Sequence, residues 1–424
     1  MHKNLVVNMK TSILVGIIIS LLLLTLPAAA SDYTLGIFGN ANEDDTVNMQ
    51  DVTYTELIIL EYRDKTDLAD AKYDGKINMQ DVTQIELVIL GKEKEITIRD
   101  ANDDCITVFK PIEKIVVLNT DVAEAIRALG AKDRIVGVTR GITEATTFFP
   151  DLSSTQSIGK WYSPDIEEIL VLNPAVIFAF GQWPGTEKLE DKLTGNDIVV
   201  VRLEFYKIDT LCAEMEILGY LLKERENARE YLTWHDEYVS RVDDKVSELA
   251  DDDKPDVFLF MSGKTKETTC KSCATGTGMH ELCERAGGKN IAAELDEYPE
   301  VEAEWVLEQD GKRGIEVMLG LTYKGGYETD DASIVEEEHG KITSVPGFSE
   351  IAAVKDSRVH LIDGDAAFAP VQPVAMVYMA KWLHPKLFAE MDPGAIHQEY
   401  IDKFCGIDYD VIEHGVFVHP PIVG

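Results

Sequence analysis

Apolar positions set the plan of this chain, because their spacing changes sharply from one region to the next. Early on they recur every three to four residues in two short stretches, Tyr54 to Leu60 and Gln84 to Leu90, each behind an acidic loop. The hexapeptide Asn48-Met-Gln-Asp-Val-Thr53 returns unchanged over residues 78–83, so the segment is a duplicated loop-helix unit. From Ile96 the period becomes two. Ile96-Thr-Ile-Arg-Asp100 and Cys105-Ile-Thr-Val-Phe109 alternate across a polar turn and predict a hairpin. Next come short, wholly apolar runs alternating with helical stretches. Ile115 to Leu118, a helix from Val122 to Leu129 stopped by Gly130, and Ile135 to Val138 form a β-α-β unit. A second unit has Ser163 as N-cap, Pro164 in the first turn, a helix to Leu172 and a strand from Ala175 to Phe180.

Between Ile208 and Leu249 the period is helical again, with Leu211, Met215, Leu218, Leu222, Tyr231, Leu232, Tyr238 and Val242 on one buried face. Asp251-Asp-Asp-Lys-Pro255 ends it, and Val257-Phe-Leu-Phe260 opens another α/β series. The expected fold class is α/β: two Rossmann-like lobes joined by a long rigid helix, preceded by a small α-helical calcium-loop module. The expected boundaries are 1–30 for a signal peptide or N-terminal anchor, 35–92 for the duplicated module, 93–205 for the first lobe, 206–250 for the linking helix and 251–424 for the second lobe. A length of 424 residues, more than one core usually serves, agrees with several units.

Charge and cysteine content narrow the chemistry. With 76 acidic against 40 basic residues the formal net charge is -36, which argues against binding nucleic acid or anionic lipid. Lys3 and Lys10 precede an uncharged stretch from Thr11 to Ser31 ending in Leu26-Pro27-Ala28-Ala29-Ala30, the layout of a secretory signal and also long enough for an uncleaved anchor. The expected location is therefore exported, extracellular or attached to the cell surface, with membrane contact only through that anchor or a membrane partner. Six scattered cysteines do not make a disulfide framework. Cys270, Cys273 and Cys283 read as a local disulfide or buried thiols rather than a redox or metal centre.

The acidic loops carry candidate metal ligands. Counting back from the repeat, the first presents Asn40, Asn42 and Asp44 at alternate positions, the carbonyl of Thr46, and Asp51 at position twelve; the second presents Asp70, Asp74, the carbonyl of Lys76, and Asp81. Hard oxygen donors so spaced suit calcium, the one cofactor expected. Val47 and Ile77 sit between the loops as apolar counterparts. Residues 35 to 92 resemble a type I dockerin, which implies two calcium loops and a cohesin-domain partner. Lys72 stands where the second loop should offer an oxygen, and Asp45 replaces the usual turn glycine of the first.

Residues 96 to 410 resemble the class III, helical-backbone substrate-binding proteins of ABC importers for iron siderophores, haem and cobalamin. The resemblance lies in Lys114-Ile-Val-Val-Leu118, residues 128–138, Pro164-Asp-Ile-Glu-Glu-Ile-Leu-Val-Leu-Asn-Pro174, Ala286-Gly-Gly-Lys-Asn-Ile-Ala292, Val301-Glu-Ala-Glu-Trp305 and Arg358-Val-His-Leu-Ile362. It implies capture of an iron chelate, or of cobalamin or haem, and delivery to a permease with its ATPase. It also implies one permease-docking glutamate per lobe, by motif position Glu167 and Glu304.

Ligands of such folds sit at loops following the strands. There Arg140 is the candidate for an anionic group, and Trp161, Tyr162, Trp183, Tyr323 and Phe368 for aromatic packing. Two other classes compete: a scaffold or adhesion protein tethered through the duplicated module, and a metal chelatase-type enzyme. No His-Glu-x-x-His, Gly-x-Ser-x-Gly or phosphate-binding glycine loop occurs, and no catalytic residue is expected.

Overall fold

The computed structural model describes residues 33–421. The expected signal or anchor over residues 1–30 lies outside the described residues. Helices α1 (Met49–Ile59) and α2 (Met79–Ile89) each start on an asparagine of the repeat. The Asn48 and Asn78 side chains accept from the amides of Gln50 and Gln80, while Asp51 and Asp81 reach back to the amide of the capping asparagine. The repeat thus places both helix starts ahead of the apolar stretches that announce them.

Strands β1 (Glu95–Arg99) and β2 (Cys105–Phe109) form the expected antiparallel hairpin, Glu95 opposite Phe109 and Arg99 opposite Cys105. The duplicated module extends this ribbon: Phe38 N donates to Thr97 O at 2.9 Å and Arg99 N to Gly36 O at 2.7 Å. Leu35, Ile37, Val82 and Ile85 share a continuous core with Ile96 and Ile98. On its other side the hairpin meets the first lobe, where Ala101 N donates to Arg202 O and the Asn102 amide to Gly181 O. The buried Lys110–Glu93 ion pair, with Lys110 also bonded to Tyr220 O, ties hairpin, module and linking helices together.

The first lobe contains β3 (Ile115–Val117), α3 (Thr120–Ala128), β4 (Ile135–Val138), α4 (Arg140–Glu144), β5 (Gln156–Ser157), a ribbon of β6 (Gly159–Lys160) with β7 (Ser163–Pro164), α5 (Ile166–Leu172), β8 (Val176–Ala179) and β9 (Val199–Arg202). Its sheet is wholly parallel in the order β5-β4-β3-β8-β9. Ser163 and Pro164, expected as cap and first turn of α5, instead fold back as a strand on Gly159 and Lys160. The cap is Asp165, whose carboxylate accepts from the amides of Glu167 and Glu168.

The linking segment corrects the expectation of a single long helix. It is two helices, α6 (Ile208–Leu222) and α7 (Arg225–Ser247), broken where Lys223 takes the left-handed conformation at φ 61°. Neither proline nor glycine stands at the break. The apolar period runs on because both helices bury their faces in the same core.

The second lobe repeats the plan with β10 (Asp256–Met261), β11 (Thr269–Lys271), α8 (Gly278–Arg285), β12 (Lys289–Asn290), β13 (Glu300–Glu302), α9 (Ala303–Arg313), β14 (Val317–Thr322), α10 (Ser333–Thr343), β15 (Val359–Asp363), α11 (Gln372–Leu383), α12 (Pro393–Tyr400) and β16 (Val418–His419). Its sheet runs β12-β10-β14-β15-β16, parallel except for the edge strand β16. Cys270, Cys273 and Cys283 are buried free thiols, and desolvation pushes Cys270 and Cys273 up to about 12. The lobes are packed firmly together. Tyr231 on α7 donates to Pro370 O at 2.7 Å, and Tyr400 donates to Glu124 Oε1 at 2.5 Å.

Candidate ligand crevice and calcium loops

In parallel sheets the backbone diverges at the carboxyl ends of neighbouring strands, leaving a crevice lined by the following loops. In the first lobe β3 leads to Asn119, which caps α3, and then to the half-buried Asp121. The neighbouring β8 leads to Phe180 and Trp183, and β9 to Glu204 and Tyr206. In the second lobe β14 leads to Tyr323, and β15 to Asp363 and Asp365. Gly364 makes room for Tyr323, because a Cβ there would lie 2.3 Å from its ring.

This edge is acidic and phenolic. Burial first, and then the Asp365 charge from the other lobe, push Asp121 up to about 7. Asp363 and Asp365 are both raised by burial, and Asp363 further by its neighbour Asp365. Two cations among these loops are engaged by carboxylates. Lys207 lies 2.6 Å from Glu204, and Arg140 pairs with Glu144 at 2.7 Å on the exposed start of α4. The anion-binding role expected of Arg140 therefore competes with a local carboxylate. Asp121 and Tyr206 were not among the expected ligand residues. The loop of Asp121 was among those expected to line the crevice, because it follows a buried strand, whereas Tyr206 follows β9, which was not among the expected strands.

Three expected aromatic residues come together. Trp161 meets Tyr162, Phe180 and Trp183 edge to face, with centroids 5.3, 5.7 and 6.3 Å apart. Trp161 is 43%, Tyr162 40% and Trp183 50% exposed, so these rings are not core filler. Lys160 and Lys188 lie over Tyr162 and Trp183 at 5.5 and 5.6 Å. Tyr323, 60% exposed, and the half-buried Phe368 belong to the second lobe. Glu167 and Glu304 stand exposed in the first turns of α5 and α9, one per lobe.

In the duplicated module the expected ligands form two loops closed by their own backbone. Asp51 accepts from the amides of Asn42 and Asn48, and Asp81 from those of Lys72 and Asn78; both carboxylates are fully buried. Burial raises Asp51 to about 6 and raises Asp81 as well. Asn40 is buried, and its Oδ1 has no hydrogen-bond partner. Asp44 accepts from the amide of Thr46. In the second loop Asp70 accepts from the amides of Asp74 and Gly75, and Asp74 from that of Lys76. The Lys72 ammonium is drawn away to Glu95 at 2.8 Å. Costly buried carboxylates and an orphaned carbonyl oxygen fit a hard cation.

Two α/β lobes joined by a helical pair, with strand-end carboxylates of one lobe facing those of the other, define a bilobal protein. The periplasmic binding protein family matches residues 115–366, more than half of the chain, and the chain belongs to that family. Its fold is shared with a TroA-like periplasmic binding protein, FepB, from Veillonella parvula, at TM-score 0.61 and 20% identity over 76% of this chain and 98% of that one. It is shared with the molybdate periplasmic binding protein MolA of Haemophilus influenzae, at TM-score 0.58 and 20% identity over 74% of this chain and 98% of that one. It is also shared with Helicobacter pylori CeuE in its Ni-His complex, at TM-score 0.57 and 15% identity over 75% of this chain and 98% of that one. No curated protein sequence matches the chain. No helix among the described residues is long and apolar enough to cross a membrane.

Proposed function

We propose that this protein captures a metal chelate, an iron chelate of the ferric-siderophore kind in the first instance, and delivers it to an ABC permease. The carrying observation is the crevice. An exposed patch of Trp161, Tyr162 and Trp183 follows strands of the first lobe, and carboxylates from both lobes, Asp121 and Asp365, lie close enough for one to raise the other. Aromatic faces suit a large organic chelator, and uncompensated carboxylates suit a ligand that is neutral or cationic overall. Cobalamin would use the same patch, and haem its apolar face, while anionic groups such as haem propionates would meet like charge. Glu167 and Glu304, exposed on separate lobes, would meet permease cations and report the spacing of the lobes. The test is thermal unfolding of the full chain with ferric siderophores, cobalamin, haem and molybdate. A stabilisation by one chelate class supports capture, and none by any of them overturns it.

The duplicated module supports a second, compatible role, tethering. Met49 and Met79 occupy equivalent positions and are 58% and 56% exposed, each beside an exposed glutamine, Gln50 or Gln80. A module with calcium held by Asn40, Asn42, Asp44, Thr46 and Asp51 in one loop, and by Asp70, Asp74, Lys76 and Asp81 in the other, would offer these faces to a cohesin domain. Calcium would supply rigidity there, while the chain's own capping boxes hold the helix starts. Pull-down with cohesin domains in calcium and in chelator tests this; absence of calcium-dependent capture overturns it.

A further inference from the structure

Away from the crevice, α6 and α7 pack against each other as an antiparallel pair turning at Lys223. Cys212 lies eleven residues before that turn and His235 twelve after it, so they face each other at the same level, about 16 Å along the pair from the turn. Cys212 Sγ is 3.5 Å from His235 Nδ1, and Asp236 Oδ1 is 3.0 Å from that same nitrogen. The three donor atoms lie within 4.8 Å of one another. A nucleophilic triad would place thiol and carboxylate on opposite ring nitrogens, whereas here both converge on one. A tetrahedral zinc with ordinary bond lengths separates its nitrogen and oxygen ligands by about 3.4 Å and its sulfur and nitrogen ligands by about 3.6 Å. The sulfur–nitrogen and nitrogen–oxygen separations are close to those edges, and the sulfur–oxygen pair lies within 4.8 Å. His235 is buried, Cys212 half-buried and Asp236 exposed, so one side of the cluster opens to solvent.

We propose that Cys212, His235 and Asp236 form a binding site for a borderline-soft divalent cation such as zinc, which staples the two linking helices together at the end of the pair remote from Lys223. Binding releases the thiol proton to solvent and leaves one coordination position for water. Tyr33 and Glu216 lie beside the cluster, and Arg285, paired with Asp243 at 2.8 Å, faces Cys212 from the second lobe. Thiolate, imidazole and carboxylate together disfavour calcium or magnesium, so this site and the loops of the duplicated module select different ions.

The full chain, stripped of transition metals and kept in calcium, is titrated with cobalt(II). The expected result is a thiolate-to-cobalt charge-transfer band with four-coordinate visible bands, saturating at one equivalent and displaced by zinc. Cys212→Ser should abolish the charge-transfer band, and Asp236→Asn, at an exposed position that folding tolerates, should weaken cobalt binding at least tenfold. Trp161→Ala should leave the band unchanged, which separates this site from metal held in the crevice. Wild-type protein without a thiolate band, or a band that survives Cys212→Ser, overturns the assignment.

Discussion

Phe148 and Tyr327 lie face to face, one from each lobe, with ring centroids 4.1 Å apart and planes 8° from parallel. The Tyr327 hydroxyl sits 2.6 Å from His397 Nε2, and the next residue, Glu328, accepts from the amides of Thr147 and Phe148 at 3.0 and 2.9 Å. Glu328, at the start of the acidic tract 328–331, thus completes a clasp between the lobes. Such a clasp favours small adjustments on ligand binding over wide opening.

The clasp predicts an ordered loss of stability. Tyr327→Ala should lower unfolding free energy by about 3–5 kcal/mol by opening a cavity, and Tyr327→Phe by about 1 kcal/mol by removing one hydrogen bond. Urea unfolding curves measure both, and equal effects would refute the stacking contribution.

Calcium should reverse the pH dependence of the duplicated module. Without metal, burial holds Asp51 at about 6. Its protonated form is favoured by folding, so its contribution is present at low pH and lost as pH rises through about 6. Calcium requires the ionised form, so the melting-temperature gain from calcium should be full near pH 8 and shrink as pH falls through about 6. Asp51→Asn should remove most of that gain. Melting curves with calcium and with chelator, across this range, provide the check.

Two further acids should set the stability of the body. Glu124, beside Tyr400, and Glu214, which accepts from the amides of Glu204 and Phe205, are each pushed up to about 8 by burial. Both are raised, so their contribution is full at pH below the ordinary glutamate range, about 4.3, declines as pH rises above it and is gone once pH passes about 8. Glu214→Gln should flatten the fall in stability between about pH 5 and about pH 8 in a stability–pH curve measured by denaturant titration.

The aromatic patch should matter to ligand and little to folding. Trp161→Ala and Trp183→Ala remove exposed rings and should change stability by no more than about 0.5 kcal/mol, while weakening chelate binding about tenfold or more, a loss near 1.4 kcal/mol. Fluorescence titration of each variant reads the affinity.

Charge reversal at Glu167→Lys and Glu304→Lys should leave ligand affinity unchanged and slow ligand transfer to permease-bearing membranes, with the difference shrinking at high salt. Unchanged transfer in the double variant would remove these residues from docking.

Local patterns along the chain were enough to specify the duplicated loop-helix unit, the β1–β2 hairpin and the parallel α/β units. Each rests on interactions between near neighbours: capping asparagines, period-two alternation, apolar runs closed by polar turns. The aromatic patch was legible because Trp161, Tyr162 and Trp183 follow strands. Tertiary structure decided the rest. The Lys223 break carries no breaker residue and arises because α6 and α7 must return across one core. The pairing of residues 36–38 with β1, the Phe148–Tyr327 clasp, the acidic crevice of Asp121 and Asp365, and the convergence of Cys212 with His235 all join positions far apart in sequence. Their energies come from burial and proximity, which only the folded chain creates.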